Sequence, residues 1–200
     1  QSIRADVLAF KEKIKDYSSP HSESVDFVVE TAQGNIRLFG YMEPLFGDEN
    51  QIIEWRFAKY KDRYRIRPWL YYLIQLATKE NALPPRIIAK DKDLTLKTIE
   101  KSTALEKLKM YVEAYLQSQQ QIQLIPTENI AKFIEKDESA VNFDNVLTNI
   151  ESLAKDDNYG YRKADPYWAR MLGQTEQFKS QDGLLQLVKQ TTSWFGEMLS

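Results

Sequence analysis

Three side chains in the first third of the sequence have the types and spacing for phosphodiester chemistry. Glu43 ends the run IRLFGYME at 36–43, and Glu54 and Arg56 stand two apart within IIEWRF at 52–57. In an extended strand residues i and i+2 point to one face. Glu54 and Arg56 therefore share a face with Ile52, while Ile53, Trp55 and Phe57 share the other. If the two segments pair, Glu43 approaches Glu54. Two carboxylates beside a cation on a sheet edge form the kit of a Mg²⁺-dependent phosphodiester site. Hard oxygens hold the ion, and the cation orients the attacking water or offsets developing charge. Arg56 keeps its charge but does not give up a proton at working pH, so it cannot be the base. Pro44 also stiffens the strand end directly after Glu43. The plainer reading is an ordinary surface ion pair between Glu54 and Arg56.

The elements that would position these groups can be read from periodicity and turn chemistry. Ile3, Val7, Phe10 and Ile14 fall at helical spacing and predict a helix over 2–17, stopped by Ser18-Ser19-Pro20. Val25, Phe27 and Val29 alternate as in a strand. Gln33-Gly34-Asn35 reads as a turn, 36–43 as a second strand, 47–50 as another turn and 52–57 as a third strand. Three strands joined by short turns make an antiparallel meander. Pro68 suits the first turn of a helix. Trp69, Leu70, Leu73, Ile74 and Ala77 make that helix apolar enough to lie buried on the sheet, with Tyr71, Tyr72 and Gln75 in packing roles. Pro84-Pro85 breaks the chain before short strands at 86–89 and 94–97. A long helix follows Ser102 with Leu105, Leu108, Val112 and Tyr115 on one stripe. Residues 127–138, 142–154, 165–174 and 181–198 read as helices, and Asp165-Pro166 has the chemistry of a helix start. The fold class expected is α+β (mixed α/β), a single domain over 1–200 with a sheet core at about 22–100 and a mostly helical part over 101–200.

Charge is distributed unevenly. The chain carries a net −2, yet residues 56–67, RFAKYKDRYRIR, hold +5, which leaves −7 for the rest. Much of that lies in 127–157. A basic segment can meet an anionic partner. Lys59, Lys61, Arg63, Arg65 and Arg67 are its candidate phosphate contacts, and Tyr60 and Tyr64 are placed to stack on unpaired bases. The alternatives are a solvated hairpin, with tyrosines packed across its strands. The absence of Cys excludes a thiol nucleophile and Cys-ligated metals, and the lone His21, in a loop, excludes a two-His metal motif. His21 is expected to be a surface residue. No apolar run reaches the length of a membrane span, no export signal is visible, and no GxxxxGK(S/T) marks an ATP site. The expected compartment is the cytoplasm. The chain opens at Gln1 rather than Met, which reads as a piece of something longer.

Four blocks taken together are more specific than any of these signals. GYMEPLF at 40–46, EWR at 54–56, PWLYYLIQLA at 68–77 and DPYWAR at 165–170 resemble, in order and spacing, the C-terminal domain of RecC, the gamma subunit of bacterial exodeoxyribonuclease V. The resemblance runs from about residue 25 to the end. It implies a restriction-endonuclease-like (PD-(D/E)xK) core sheet flanked by helices, like the nuclease domain of the partner beta subunit (RecB) but with the catalytic set lost. Active relatives end one strand on Asp, carry Asp-Tyr-Lys on the next, and open the following helix with Gln. Carried over, Glu43 falls at the first Asp, Glu54 at the second, Arg56 at the Lys and Arg67 at the Gln. All four positions are changed, and Arg67 adds positive charge beside any Mg²⁺.

The resemblance implies no catalytic residues, no cofactor and no metal, with the beta and alpha subunits (RecB, RecD) and DNA as partners. The role implied is scaffolding of those subunits and guidance of separated DNA strands in double-strand break repair. Two other readings stay open. One is an active Mg²⁺-dependent deoxyribonuclease using Glu43 and Glu54. The other is a purely protein-docking domain, with the acidic 127–157 region and aromatics such as Tyr159, Tyr161, Tyr167, Trp168 and Trp194 as anchors.

Overall fold

The computed structural model describes residues 3–79, 81–120, 125–127, 129–155 and 180–200, together with residues 166, 168, 170, 172 and 178. They group into two compact units, 1–123 with 198–200, and 124–197.

The first unit opens with helix α1 (Ile3–Ile14). A long hairpin follows, β1 (His21–Thr31) against β2 (Gly34–Phe46). Its two-residue turn is Ala32-Gln33, one position earlier than the sequence pattern implied, because Gly34 at φ +117° already pairs with Thr31. The alternation predicted for Val25, Phe27 and Val29 is present, each more buried than its neighbours. β2 runs three residues past the expected end. It does so through a bulge: His21 pairs with Leu45 and Glu23 with Met42, so Glu43 and Pro44 together oppose Ser22. Proline has no N–H for a ladder, and a bulge is where a strand tolerates it.

The turn at 47–50 is formed as expected, with Gly47 at φ +68° and Asn50 at φ +55°. β3 (Gln51–Arg56) then pairs antiparallel with β2 through Leu45↔Ile52 and Phe46↔Gln51. β4 (Arg86–Ala89) lies parallel to β3, from Ile53↔Arg86 to Arg56↔Ala89. A parallel pair needs a crossover, and helix α2 (Ile66–Thr78) supplies it. β5 (Asp93–Thr95) closes the sheet antiparallel to β4, giving the order β1-β2-β3-β4-β5. The strand expected at 94–97 stops earlier because the Leu96 amide donates to the Pro85 carbonyl at 2.8 Å and its side chain turns inward. The fold class is therefore α+β, with a five-stranded mixed sheet and helices.

Strand alternation sorts the two faces of the sheet. Ile53 and Ile88 join Phe46 and the α1 residue Phe10 in one apolar cluster, flanked by Ile14 and Tyr17. Ile52, Glu54 and Ile87 point the other way. α2 packs on β3 and on helix α3 (Lys101–Ser118). It buries Trp69, Tyr72, Leu73 and Leu76, each burial contributing roughly 1.5–3 kcal/mol. The stripe that α3 buries is Ala104, Leu108 and Val112, whereas Leu105 and Tyr115 are exposed. The predicted stripe is thus rotated: an alanine lets the helices approach, and the larger side chains are left outside. Between these helices the indole N–H of Trp69 donates to the Tyr111 hydroxyl at 3.2 Å. Burial pushes the Tyr111 hydroxyl's pKa up, so it stays a neutral acceptor.

The second unit contains α4 (Phe143–Leu153) and all but the last two residues of α5 (Gln181–Leu199), both helices close to expectation. The Asn142 side chain caps α4 by accepting from the Asn145 amide at 2.9 Å. Phe133, Val146, Ile150, Leu153, Trp168, Phe178, Leu184, Leu187 and Val188 form its core. The α-helix expected over 127–138 is not there. Short 3-10 turns at Ile130–Phe133 and Glu138–Ala140 stand in its place, and the first follows Asn129 in the left-handed region at φ +53°. The helix expected at 165–174 lies outside the described residues except at 166, 168, 170 and 172, each helical. Asp165, Tyr159, Tyr161 and Tyr167 are outside them too. Trp168 is buried against Phe178 with ring centroids 5.9 Å apart, so it is core rather than a docking anchor. Trp194 is half-buried beside Phe195.

Candidate functional site

The end of β3 and the start of α2 bring together three of the four positions singled out by the sequence. Glu54 sits on the central strand, and its side chain is only 5% exposed. Arg56, two residues on, donates from Nε to Glu54 Oε1 at 2.8 Å. Arg67, in the first turn of α2, donates from Nη2 to Glu54 Oε2. The two arginines are 52% and 51% exposed, so their outer edges reach solvent. The Glu54–Arg56 pair exists as predicted, but it is not a surface pair, because the carboxylate is buried. Charge-assisted bonds of this kind are the strong ones, and a buried carboxylate needs them.

Glu43 does not join this group. The register set by Leu45↔Ile52 would carry Glu43 across from Glu54, but the pairs of β2 and β3 stop at Leu45. The bulge re-aims Glu43, which is exposed. It lines a cavity of about 530 Å³ with Pro20, His21, Ser22, Pro44, Arg67 and Tyr71. Glu54 lines a second cavity of about 720 Å³, with Lys11 and Lys15 of α1 among its walls. Arg67 lines both.

The Mg²⁺ chemistry implied by the residue types does not suit this arrangement. Both oxygens of Glu54 are taken by guanidinium groups, and the two arginines outweigh its single charge. Among the described residues no group of three or more His, Asp or Glu is placed to hold a metal ion. His21 is exposed, as expected, and its Nε2 lies 2.5 Å from Asn50 Oδ1. Asn50 in turn donates to Glu23 at 3.1 Å and accepts at its carbonyl from Gln75 at 2.8 Å, so the turn before β3 is tied to β1 and α2.

The basic segment after β3 is not a hairpin. It runs through a loop into a 3-10 turn at Asp62–Arg65 and directly into α2. Tyr60 and Tyr64 therefore do not pack across strands. They meet edge to face at 6.5 Å, and cations lie over both rings. Arg56 is 4.8 Å from the centroid of Tyr64, and Lys92 is 4.3 Å from that of Tyr60. Arg65 also lies over Tyr60 and donates from Nε to its hydroxyl at 2.5 Å. Burial raises the pKa of the Tyr60 hydroxyl, against the opposing effect of Arg65. The Tyr60 amide is fixed by Asp91 at 2.7 Å. Arg65 and Arg67 thus have structural work, while Lys59, Lys61 and Arg63 have exposed side chains.

Sequence reasoning missed the α1 contribution to this region. Lys11 and Lys15 lie four apart on one helix, a spacing that places them together, but nothing local said which strand they would face.

The fold and site thus define an α+β domain with a mixed five-stranded sheet whose central carboxylate is held by two arginines. Comparison with known sequences gives the family. Residues 1–138 match the family described as the RecC C-terminal domain, and the chain belongs to that family. It is similar to the RecBCD enzyme subunit RecC of Haemophilus influenzae (strain ATCC 51907 / DSM 11121 / KW20 / Rd), with 50% identity over 201 residues. That alignment covers 98% of this chain and 17% of the relative, so the chain spans well under two thirds of the relative's length.

Proposed function

We propose that this chain is a non-catalytic nuclease-like domain that scaffolds partner subunits and guides separated DNA strands in double-strand break repair and DNA end processing. The observation that carries the reading is the clamp on Glu54. A carboxylate at the metal-ligand position has both oxygens bound by Arg56 and Arg67. A restriction-endonuclease-like core is supported by the element order α1-β1-β2-β3-α2-β4. Glu54 and Arg56 on β3 and Arg67 opening α2 support the same reading, whereas Glu43, late in β2, is turned away from them by the bulge. The relative's description as a subunit of the RecBCD enzyme supports RecB and RecD, the beta and alpha subunits of exodeoxyribonuclease V, as protein partners. DNA is the other partner and the cytoplasm the compartment. The role needs no cofactor.

Within the loop and 3-10 turn between β3 and α2, phosphate contact is assigned to Lys59, Lys61 and Arg63, whose side chains are exposed. The test is charge reversal of those three residues to Glu in the full-length protein, with single-stranded DNA binding followed by anisotropy across a salt series. Removing one phosphate-bound cation should make the salt slope shallower by about 0.7, so removing all three should change it by about 2. Unchanged affinity at low salt would remove the DNA-guiding role. Cleavage of single-stranded DNA with Mg²⁺ or Mn²⁺ would instead favour the active deoxyribonuclease.

A further inference from the structure

The clamp on Glu54 forms one wall of a cavity of about 720 Å³ whose remaining walls have an unusual make-up. The lining includes four cations, Lys11 and Lys15 from α1 with Arg56 and Arg67. Glu54 is the single acidic side chain in the lining, so the lining carries a clear positive excess. The lining also holds apolar and aromatic side chains, of which Trp55 is exposed and Phe46 and Ile53 are buried. Each guanidinium spends one donor on Glu54, Arg56 its Nε and Arg67 its Nη2. The carboxylate therefore fixes the two forks while leaving their other N–H groups for a further acceptor. Arg56 is steadied as well by the Tyr64 ring at 4.8 Å. Lys11, exposed on α1, makes no ion pair among the described residues.

Guanidinium forks match the oxygens of a phosphate, and an ammonium adds a point charge. An exposed aromatic side chain takes a flat ring without regard to its hydrogen-bond pattern. The volume lies within the range of small-molecule sites and exceeds what a lone phosphate fills. We propose that this cavity binds one nucleotide of a single strand, with its phosphate on Arg56 and Arg67 beside Lys11 and its base against the exposed ring of Trp55. The carboxylate left from a metal site would then act as the brace of an anion site. The proposal rests on the strand-guiding reading and gives it a second contact point, distinct from Lys59, Lys61 and Arg63.

The experiment is calorimetric titration of the full-length protein with thymidine 5′-monophosphate, thymidine and inorganic phosphate, each without metal. The nucleotide should bind at least about tenfold more tightly than either half. Lys11→Glu, on an exposed helix face, should weaken it about tenfold, and Arg67→Gln should weaken it further. Reversal of Lys59, Lys61 and Arg63 should leave it unchanged while lowering single-strand affinity, which separates failure of this site from failure of the strand-guiding role. No nucleotide binding, equal binding of inorganic phosphate, or binding unaffected by Lys11→Glu would each overturn the proposal.

Discussion

Arg67→Gln tests the clamp most directly, because it removes the guanidinium that binds Glu54 Oε2 from the first turn of α2. The substitution removes one of two guanidinium bonds from a carboxylate that is 5% exposed. A hydrogen bond to a charged group is worth about 1.5–3 kcal/mol, whereas an exposed ion pair is worth about 0–1. Arg67 is half-exposed and Glu54 is buried, so the loss falls between these limits. The Gln carboxamide can return a neutral bond of about 1 kcal/mol. The expected net loss is roughly 0.5–1 kcal/mol, and for a chain of this size each kcal/mol lowers Tm by about 2–4 °C. The assay is urea unfolding of the wild type and variant with tryptophan fluorescence, with Lys11→Gln as the exposed-cation control within about 0.5 kcal/mol. A cycle with Glu54→Gln should return a coupling energy of about 1–2 kcal/mol. A loss no larger than the control, or coupling near zero, would show that Glu54 does not depend on Arg67.

Two further outcomes follow from packing and pairing elsewhere in the first unit. Tyr111→Phe strips the acceptor from the Trp69 indole N–H between α2 and α3 and should cost about 1–3 kcal/mol by denaturant titration, with a dry, unpaired donor left behind. Asp93→Asn breaks a bidentate pair with Arg86, whose Nε and Nη2 donate at 2.9 and 2.7 Å. The Arg86 guanidinium holds the Asp93 carboxyl below its ordinary range in the folded protein. Its contribution is therefore complete above the unfolded value of about 3.9 and is lost as pH falls through the lower folded value. Thermal melts should show a deficit for Asp93→Asn at pH 7 that shrinks towards pH 2.

The strands and α2 were legible because their signals are local. Alternation at Val25, Phe27 and Val29, Gly47 and Asn50 in the turn, and the Pro84-Pro85 break each act within a few residues. The failures have local mimics too. Ile130 and Phe133 have helical spacing and both are buried, but Asn129 in the left-handed region limits them to a single 3-10 turn. On α3 the apolar pattern fits two adjacent stripes, and close approach of α2 selects the one with Ala104. At the site, the Glu54–Arg56 spacing could be read from a strand alone. The third member of the clamp could not, because Arg67 reaches Glu54 only through the crossover between two parallel strands. The bulge at Glu43-Pro44 needed the register of a neighbouring strand.

The mutual dependence of Arg56, Glu54 and Arg67 has a consequence for how such a domain drifts over generations. A change at either arginine strands a buried anion, and a change at the acid leaves two like charges side by side. Each lone substitution is penalised, so the three positions change together or stay as they are. The lock on Glu54 thus works as a ratchet against single steps.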